Sequence, residues 1–275
     1  MSDETILEPN GIVTITTDFG TRDAYVGAMK GVMLSIAPQL RLHDLAHEIE
    51  PQSIEHGATV LRGACPWFPP GTVHVGVVDP GVGTERAPVV IVAGGQAFVG
   101  PDNGLFGPVI ARLGGLQAAY RLDRQGKLAR FLPHRHASTF EGRDLFAPAA
   151  AALAAGLLAP ADVGRPHDLV QLPGTEPVRA PGAIEGQVTY YDHFGNAITN
   201  VTAQHLEGLG SRACTVRLPG DERVPLVRTY GDAAPGALLA VIGSEGFLEI
   251  AVRDGSARAR LGLAAGTAIR VEPAA

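Results

Sequence analysis

The sequence predicts an α/β N-terminal domain with a largely parallel central sheet, followed by a smaller C-terminal β-rich domain of barrel or sandwich type. Up to about residue 160, short β-rich runs alternate with helical patterns, which is typical of layered α/β sheets. A proline- and glycine-rich stretch at 166–183 follows, and beyond it strand patterns recur. We therefore expect an N-terminal domain at 1–165, a linker at 166–183 and a C-terminal domain at 184–275.

The N-terminal domain alternates predicted strands with predicted helices. The first helix illustrates the basis, because Tyr25, Met29, Val32 and Ile36 recur at helical spacing and Pro38 ends the pattern. A glycine pair at 94–95 predicts a hairpin turn between two strands. The expected strands are 11–17, 40–45, 72–78, 89–93 and 97–99, and the expected helices are 24–36, 52–68, 105–113 and 144–157.

The C-terminal domain consists of short predicted strands separated by turns rich in Gly, Asn and Asp. Many short strands at this spacing are typical of a sandwich or a barrel. The expected strands are 184–191, 197–201, 213–218, 237–242, 247–252 and 267–271.

Composition limits the classes of function. The chain has 275 residues, of which 45% are hydrophobic and 18% charged, as in compact globular proteins. The net charge of −6 disfavours nucleic acid or an anionic membrane as the main partner. Two distant cysteines, Cys65 and Cys214, argue against a disulfide framework and favour the cytoplasm. The nine histidines form no convincing metal-binding pattern, so no metal is expected.

Two acidic residues come directly after predicted buried strands. Asp18 ends the first strand and Asp79 ends the third, in the stretch VVDPGVGTER. Ligands of α/β sheets bind beyond the carboxyl ends of the strands, so both acids are candidate ligand contacts. Arg86 lies seven residues after Asp79 and could pair with it to polarise a small nucleophile. The alternatives are a turn acid at Asp18 and a tight Pro-Gly turn at Asp79.

The stretch STFEGRDLF, residues 138–146, groups two acids and an arginine before an alanine-rich run. Asp144 is expected to cap the following helix. Glu141 has three possible roles: an exposed loop charge, a capping acid, or the acid of a catalytic site.

The C-terminal half holds two further polar turns. Asp192 and Asn196 lie in YYDHFGNAITN, which is unusually polar for a pair of strands. Ser244 and Glu245 lie between two apolar strands, where a hydroxyl and a carboxylate could bind a zwitterion. A plain hairpin turn is the alternative for each.

Six stretches in this order resemble one family, the S-adenosylmethionine hydroxide adenosyltransferases, relatives of the fluorinase and chlorinase. They are TTDFGTRDAYVGAMKG, VDPGVGTER, GPDNGLF, STFEGRDLFAPAAA, DHFGNAITN and GSEGFLEIAV. The resemblance implies that water or hydroxide displaces methionine from C5′ of S-adenosylmethionine, giving adenosine and L-methionine without a metal or redox cofactor. It also implies a homotrimer with active sites at subunit interfaces.

The resemblance assigns roles to residues of the N-terminal half. Asp18 would bind the ribose hydroxyls, and Phe140 would pack near the ribose and the reacting carbon. Asp79 and Arg86 match two members of the Asp-Arg-His triad that surrounds the nucleophilic water in the family's hydrolases. The third member should be histidine, and this chain has Glu141 in its place.

The resemblance also assigns roles in the C-terminal half. Asn196 would read the adenine edge, and Tyr230 would stack on the adenine ring. Asp192 and Ser244 would hold the amino and carboxylate groups of methionine. Glu245 lies where the halogenases carry an arginine, so its part in binding the substrate is the least defined of the set.

The Glu141 substitution leaves three interpretations open. Glu141 could replace the histidine as the water-positioning group or general base. It could instead be a structural partner of Arg143 or Arg86, or hydrolysis could be lost and the protein could be a sensor that binds adenosine or S-adenosylmethionine. A halogenase is the enzyme alternative, but a carboxylate would repel a halide, and Val82 lacks the hydroxyl with which fluorinases contact one.

Overall fold

The chain divides into two compact units, residues 1–172 and 173–275. A computed structural model describes residues 6–135, 137–170, 176–207, 209 and 213–274. The order of an α/β unit and a smaller β-rich unit agrees with the predicted fold class. Of the expected linker at 166–183, residues 167–170 bind to the first unit, since both His167 and the Val170 backbone contact Asp102. Residues 171–175 of that linker lie outside the described residues.

The first unit contains a seven-stranded mixed sheet in the order β2-β1-β3-β5-β4-β6-β7. Pairing is parallel from β2 to β5 and antiparallel from β5 to β7. The strands are β1 (Ile12–Thr17), β2 (Arg41–Ala46), β3 (Val73–Val77), β4 (Pro88–Ala93), β5 (Gln96–Pro101), β6 (Ala118–Leu122) and β7 (Gly164–Pro166).

The expectation of a largely parallel sheet was therefore only half right. Gly94 and Gly95 both have positive φ and form the predicted tight hairpin, so β4 runs against β5. The strands β6 and β7 then extend the antiparallel half. Neither was predicted, because β7 has only three residues and residues 118–122 mix apolar with polar side chains.

Helices cover both faces of this sheet. Helices α1 (Tyr25–Ile36) and α4 (Ala147–Ala154) pack together over Val13, Ile15 and Val75. Helices α2 (Ile54–Ala64) and α3 (Gly107–Arg112) pack over the opposite face, against Phe98 and Ile91. Alternate residues of one strand enter different cores, as expected from the period of two in β-structure. Among the described residues, no helix is long and apolar enough to cross a bilayer.

The second unit is an antiparallel sheet in the order β12-β11-β15-β9-β10-β14-β13, with β8 paired to β9. A bridge between Leu226 and Ala240 links the residues after β12 to β13, so the sheet closes almost into a barrel. Two short helices, α5 (Ala203–Glu207) and α6 (Ala257–Leu261), lie between strands. The strands are β8 (Val178–Ala180), β9 (Ala183–Tyr191), β10 (Ala197–Thr202), β11 (Cys214–Arg217), β12 (Arg223–Pro225), β13 (Leu238–Ile242), β14 (Phe247–Val252) and β15 (Ala268–Pro273).

A buried histidine links three strands of the first unit. His74 Nδ1 lies 2.7 Å from the Thr14 hydroxyl, and His74 Nε2 lies 3.2 Å from Gln96 Oε1. The Gln96 amide nitrogen donates to the carbonyls of Cys65 and Phe68. Since Gln96 Oε1 is then an acceptor, His74 carries its proton on Nε2 and accepts from Thr14 on Nδ1. Burial lowers the pKa of His74 to about 3.

We expect acidification to destabilise the wild-type protein more than the His74→Gln variant. The ordinary pKa of histidine is 6.5. Between pH 7 and pH 5, His74 therefore binds a proton in the unfolded chain but stays neutral in the folded protein. The free energy of unfolding should therefore fall as pH falls, by about 2 kcal/mol from this residue. Glutamine offers an acceptor and a donor to the same partners but does not titrate.

Urea unfolding at pH 7 and pH 5 measures this difference. His193→Gln, in an exposed turn of the second unit, is the matched control and should keep the wild-type loss. An equal loss of stability in wild type and His74→Gln would contradict the assignment.

Candidate active site

Two acids lie side by side at the carboxyl edge of the parallel strands. Strands β1 and β3 are parallel neighbours in which Thr17 pairs with Val77. Asp18 follows β1, and its backbone nitrogen still donates to the Val77 carbonyl at 3.4 Å. Asp79 lies two residues after β3. The parallel register therefore brings together two acids that are sixty-one residues apart in sequence.

The loop after Asp79 turns back so that Arg86 reaches this acid. The Val82 nitrogen donates to the Asp79 carbonyl, and the Thr84 nitrogen donates to the Gly81 carbonyl. Gly83 has a φ of +79°, which a residue with a side chain rarely adopts. Arg86 Nε lies 3.0 Å from Asp79 Oδ1, and Arg86 Nη2 donates to Asp79 Oδ2. This parallel two-point geometry fixes the plane of the guanidinium.

Glu141 enters the site from the beginning of a π-helical turn, Gly142–Phe146. Such turns often mark functional positions in α-helices. Gly142 packs closely, because a Cβ there would lie 3.3 Å from Met29 Sδ and 3.4 Å from the rings of Phe19 and Phe140. The Phe146 ring of the same turn lies 5.5 Å from the Arg86 guanidinium carbon. The turn thus supplies both a carboxylate and an aromatic face to Arg86.

The predicted cap at Asp144 was wrong. Asp144 lies inside the π-helical turn, three residues before α4, and its carboxylate accepts from the Ala137 backbone at 2.7 Å. Arg143 donates to both oxygens of the same carboxylate, at 2.5 and 2.8 Å. The Asp144 carboxylate therefore holds the preceding loop instead of capping the helix.

Alternating charges run through the centre of the site. Arg86 Nη2 lies 2.5 Å from Glu141 Oε2, and Arg124 Nη2 donates to Glu141 Oε1. The side chains of Asp79 and Glu141 are only 5% and 15% exposed. Burial alone would lower the pKa of Arg86, but hydrogen bonds and charges from Asp79 and Glu141 outweigh it and raise that pKa. Arg86 therefore remains a cation and cannot serve as the base.

A small cavity of about 60 Å³ opens beside these charges. Its volume is enough for a few water molecules and too small for a nucleoside. An aromatic cluster forms part of the surroundings, since the Phe140 ring lies 5.3 Å from Tyr25 and 6.0 Å from Phe19, both edge to face. The cavity is lined by Asp18, Phe19, Val77, Asp79, Val82, Thr139, Phe140, Glu141 and Gly142.

Asp18 is held by the backbone of a strained residue. The Gln52 nitrogen donates to Asp18 Oδ2 at 2.8 Å, and Gln52 has a φ of +67°. Side chains seldom adopt this conformation, and such residues tend to occur at functional sites. This hydrogen bond to Oδ2 restricts the orientation of the carboxylate plane, and therefore also the direction in which Asp18 Oδ1 points.

The second unit brings together the polar residues that the sequence predicted there. Asp192 Oδ1 accepts from the Asn196 backbone at 2.8 Å, and Asp192 Oδ2 accepts from the Asn196 side-chain amide at 3.0 Å. The Tyr230 hydroxyl donates to Glu249 Oε2 at 2.6 Å. Ser244 and Glu245 form the turn between β13 and β14.

Negative charge is concentrated around these residues. Burial and the charges of Asp192, Glu249 and Glu245 raise the pKa of Tyr190 to about 12. Burial also raises the pKa of Glu249, and the charges of Asp192 and Glu245 add to that rise, although the Tyr230 hydrogen bond opposes it. The effects on both residues point to a common acidic environment, which would favour a cationic ligand group.

Sequence reasoning missed Arg124, Gln52 and Glu249. Arg124 lies in the polar run RLDRQGKLAR, which contains four basic residues with no feature to distinguish one. Glu249 lies within the predicted strand 247–252, where the alternation of polar and apolar residues is typical of a side chain that points to solvent. Gln52 acts through its backbone, so its side-chain type carried no signal.

We expect Arg86→Lys to weaken the fold as well as the site. Lysine keeps the charge but cannot donate in parallel to both oxygens of Asp79 while reaching Glu141. The free energy of unfolding should fall by about 1–3 kcal/mol, measured by urea denaturation at pH 7.

Arg217→Lys is the matched control, because Arg217 forms an exposed ion pair with Asp221. Its urea midpoint should stay at the wild-type value. Equal effects of the two substitutions would show that the Arg86 geometry adds nothing to stability.

Two family models match this chain. The SAM hydroxide adenosyltransferase N-terminal domain matches residues 13–164, and the SAM hydroxide adenosyltransferase C-terminal domain matches residues 186–270. The matches fall within the two compact units and together cover most of the chain.

Individual relatives extend the likeness over nearly the full length. The (R)-S-adenosyl-L-methionine hydrolase of Salinispora tropica is 41% identical over 273 residues, covering 96% of this chain and 99% of that protein. The fluorinase of Nocardia brasiliensis is 30% identical over 296 residues, covering 95% and 96%. The crystal structure of an uncharacterized conserved protein from Thermotoga maritima has a TM-score of 0.85 and 33% identity, covering 94% of this chain and 99% of that one.

Proposed function

This chain belongs to the SAM hydroxide adenosyltransferase family, and within it we propose that the protein hydrolyses S-adenosyl-L-methionine to adenosine and L-methionine. The observation that carries this proposal is the buried Asp79–Arg86–Glu141 arrangement beside a small cavity with room for a few water molecules. The hydrolase relative supports it, being more similar in sequence than the fluorinase relative, at 41% against 30% identity.

The reaction requires orientation more than acid catalysis. Water attacks C5′ as the C5′–S bond breaks, and the sulfur takes the bonding electron pair to become the neutral thioether of methionine. Because a sulfonium is already a good leaving group, no proton has to be delivered to it. The attacking water must lie in line with the breaking bond and must lose a proton. None of these steps calls for a metal or redox cofactor.

Asp79 and Glu141 are the acceptors proposed for that water. Arg86 bonds to both carboxylates and fixes their planes, while each keeps lone pairs that the guanidinium groups do not use. Glu141 then takes the position that histidine has in the family's hydrolase triad. Of the open interpretations, pairing of Glu141 with Arg86 is observed, and pairing with Arg143 is not supported, because Arg143 binds Asp144. Water positioning by Glu141 is compatible with the Arg86 pair and is supported by the place of Glu141 in the cavity wall.

The remaining residues of the first unit suit the ribose end of the substrate. Asp18, with its carboxylate plane fixed by Gln52, would accept hydrogen bonds from the ribose hydroxyls. Phe140 would pack near the reacting carbon, supported edge to face by Phe19 and Tyr25. An aromatic face near a sulfonium would also stabilise its charge.

The second unit suits the two ends of the substrate. The acidic environment of Asp192 and Glu245 favours the methionine ammonium, with Ser244 binding nearby. Asn196 would read the adenine edge through its side-chain amide. The Tyr230 ring is half-exposed and its hydroxyl is held by Glu249, so the ring is fixed in place for stacking on adenine.

We further propose a homotrimer in the cytoplasm, with the two sets of residues meeting at subunit interfaces. The support is that the proposed substrate-binding residues are divided between the two units. Light scattering after size exclusion measures the mass directly, and a single subunit of 28.6 kDa with full activity would contradict this assembly.

Incubation with S-adenosylmethionine should release adenosine at the same rate with and without chloride. Chromatography of the products makes the measurement, and heat-denatured protein is the control. Formation of 5′-chloro-5′-deoxyadenosine would favour a halogenase instead, and tight binding without turnover would favour a sensor. The fluorinase relative gives the halogenase a basis, but Glu141 would repel a halide and Val82 in the cavity wall offers no hydroxyl.

Glu141→Gln should lower kcat by roughly tenfold or more, with KM changed little. The amide keeps the size of the side chain but presents only one acceptor oxygen and loses the charge. Glu141→His should retain activity, because a neutral imidazole can also accept a proton from water. Steady-state adenosine release measures both variants, and a wild-type kcat in Glu141→Gln would eliminate Glu141 as the water-positioning group.

A further inference from the structure

Arg124 makes a contact with the proposed machinery that no sequence motif marks. Its Nη2 donates to Glu141 Oε1, while Arg86 Nη2 lies 2.5 Å from the other oxygen, Oε2. Glu141 is therefore held between two guanidinium groups, one on each oxygen. Arg124 is not among the residues that line the cavity, and its side chain is 35% exposed.

The loop that carries Arg124 is anchored on both sides. The Asp123 nitrogen donates to the Val163 carbonyl at 2.8 Å, and the Gln125 nitrogen donates to Asp123 Oδ1 at 2.8 Å. Leu128, in the short 3₁₀ segment that follows, is fully buried. Arg124 is thus fixed at its backbone and not merely a long surface side chain that happens to touch Glu141.

The contact between Arg124 and Glu141 balances the buried charges of the site. Asp79 and Glu141 are two nearly buried carboxylates that share the single guanidinium of Arg86. One cation cannot neutralise two desolvated anions, and an uncompensated buried charge is costly. Arg124 supplies the second positive charge, so that two carboxylates and two guanidinium groups balance.

We propose that Arg124 is a positioning residue for the hydrolysis, acting through Glu141. It neutralises this carboxylate and fixes its plane, which directs the unused lone pairs of Glu141 at the water in the cavity. The proposal rests on the proposed function. It also implies that hydrolysis requires Arg124 only as long as residue 141 is a carboxylate.

A double-mutant cycle on activity tests that condition. Arg124→Gln alone should lower kcat by roughly tenfold or more, since a loosened catalytic group loses its alignment, while KM changes less than about threefold. Arg124→Lys should recover most of the activity. In the Glu141→His background, which has no carboxylate to neutralise, Arg124→Gln should change kcat by less than about twofold.

Lys127→Gln is the matched control. Lys127 is a cation of the same segment, but it pairs with Asp162 outside the site. Its kcat should equal that of wild type. An equal fold-loss from Arg124→Gln in the wild-type and Glu141→His backgrounds would overturn the proposal, because that is what a purely structural arginine would produce. Wild-type kcat in Arg124→Gln would overturn it as well.

Urea unfolding of Arg124→Gln, Glu141→Gln and the double variant separates this proposal from the proposed function. Non-additive shifts of the midpoint support the pair whatever the reaction, and additive shifts overturn it. If wild type releases no adenosine while the midpoints stay non-additive, the proposed function fails and Arg124 is assigned to charge balance at Glu141 alone.

Discussion

The first unit depends on the guanidinium of Arg86. It joins the loop after β3 to the π-helical turn before α4. Its two carboxylate partners are buried, so each would be costly without it. The Phe146 ring against its face and the glycine turns that let the loop fold back serve the same contact. Fold and proposed chemistry are thus tied to one ion-pair network.

The two units differ in electrostatic character in a way that fits the substrate. In the first, Asp79 and Glu141 are paired with Arg86 and Arg124 beside a small cavity. The second contains several neighbouring carboxylates, and their charges contribute to the raised pKa values of Tyr190 and Glu249. S-Adenosylmethionine carries one positive charge on sulfur and one on its ammonium group. An acidic environment around the amino acid portion would favour binding of that ammonium group.

The features that could be predicted from the sequence are those marked by hydrophobic periodicity and by acidic residues at the ends of strands. Asp18 and Asp79 were predicted as ligand contacts because each follows a buried strand, and Arg86 because it lies seven residues after Asp79. The two acids lie at the same edge because β1 and β3 are parallel neighbours. The antiparallel half of the sheet was missed, because β6 and β7 are short or mixed in polarity and pair with residues far away in sequence. The π-helical turn was also missed, since Asp144 looks like a capping residue until Arg143 and the Ala137 backbone are seen to bind it. Arg124 could not be distinguished from its basic neighbours, as its partner is chosen by the tertiary fold.

The exchange of a histidine for Glu141 need not change the charge of the site. A neutral imidazole beside one Asp–Arg pair leaves no net charge, and a glutamate beside the same pair leaves one negative charge. Arg124 supplies one positive charge, so the pair Glu141–Arg124 has the same net charge as a neutral histidine. If Glu141 positions the water as proposed, this balance lets a carboxylate take that position without adding net charge to the site.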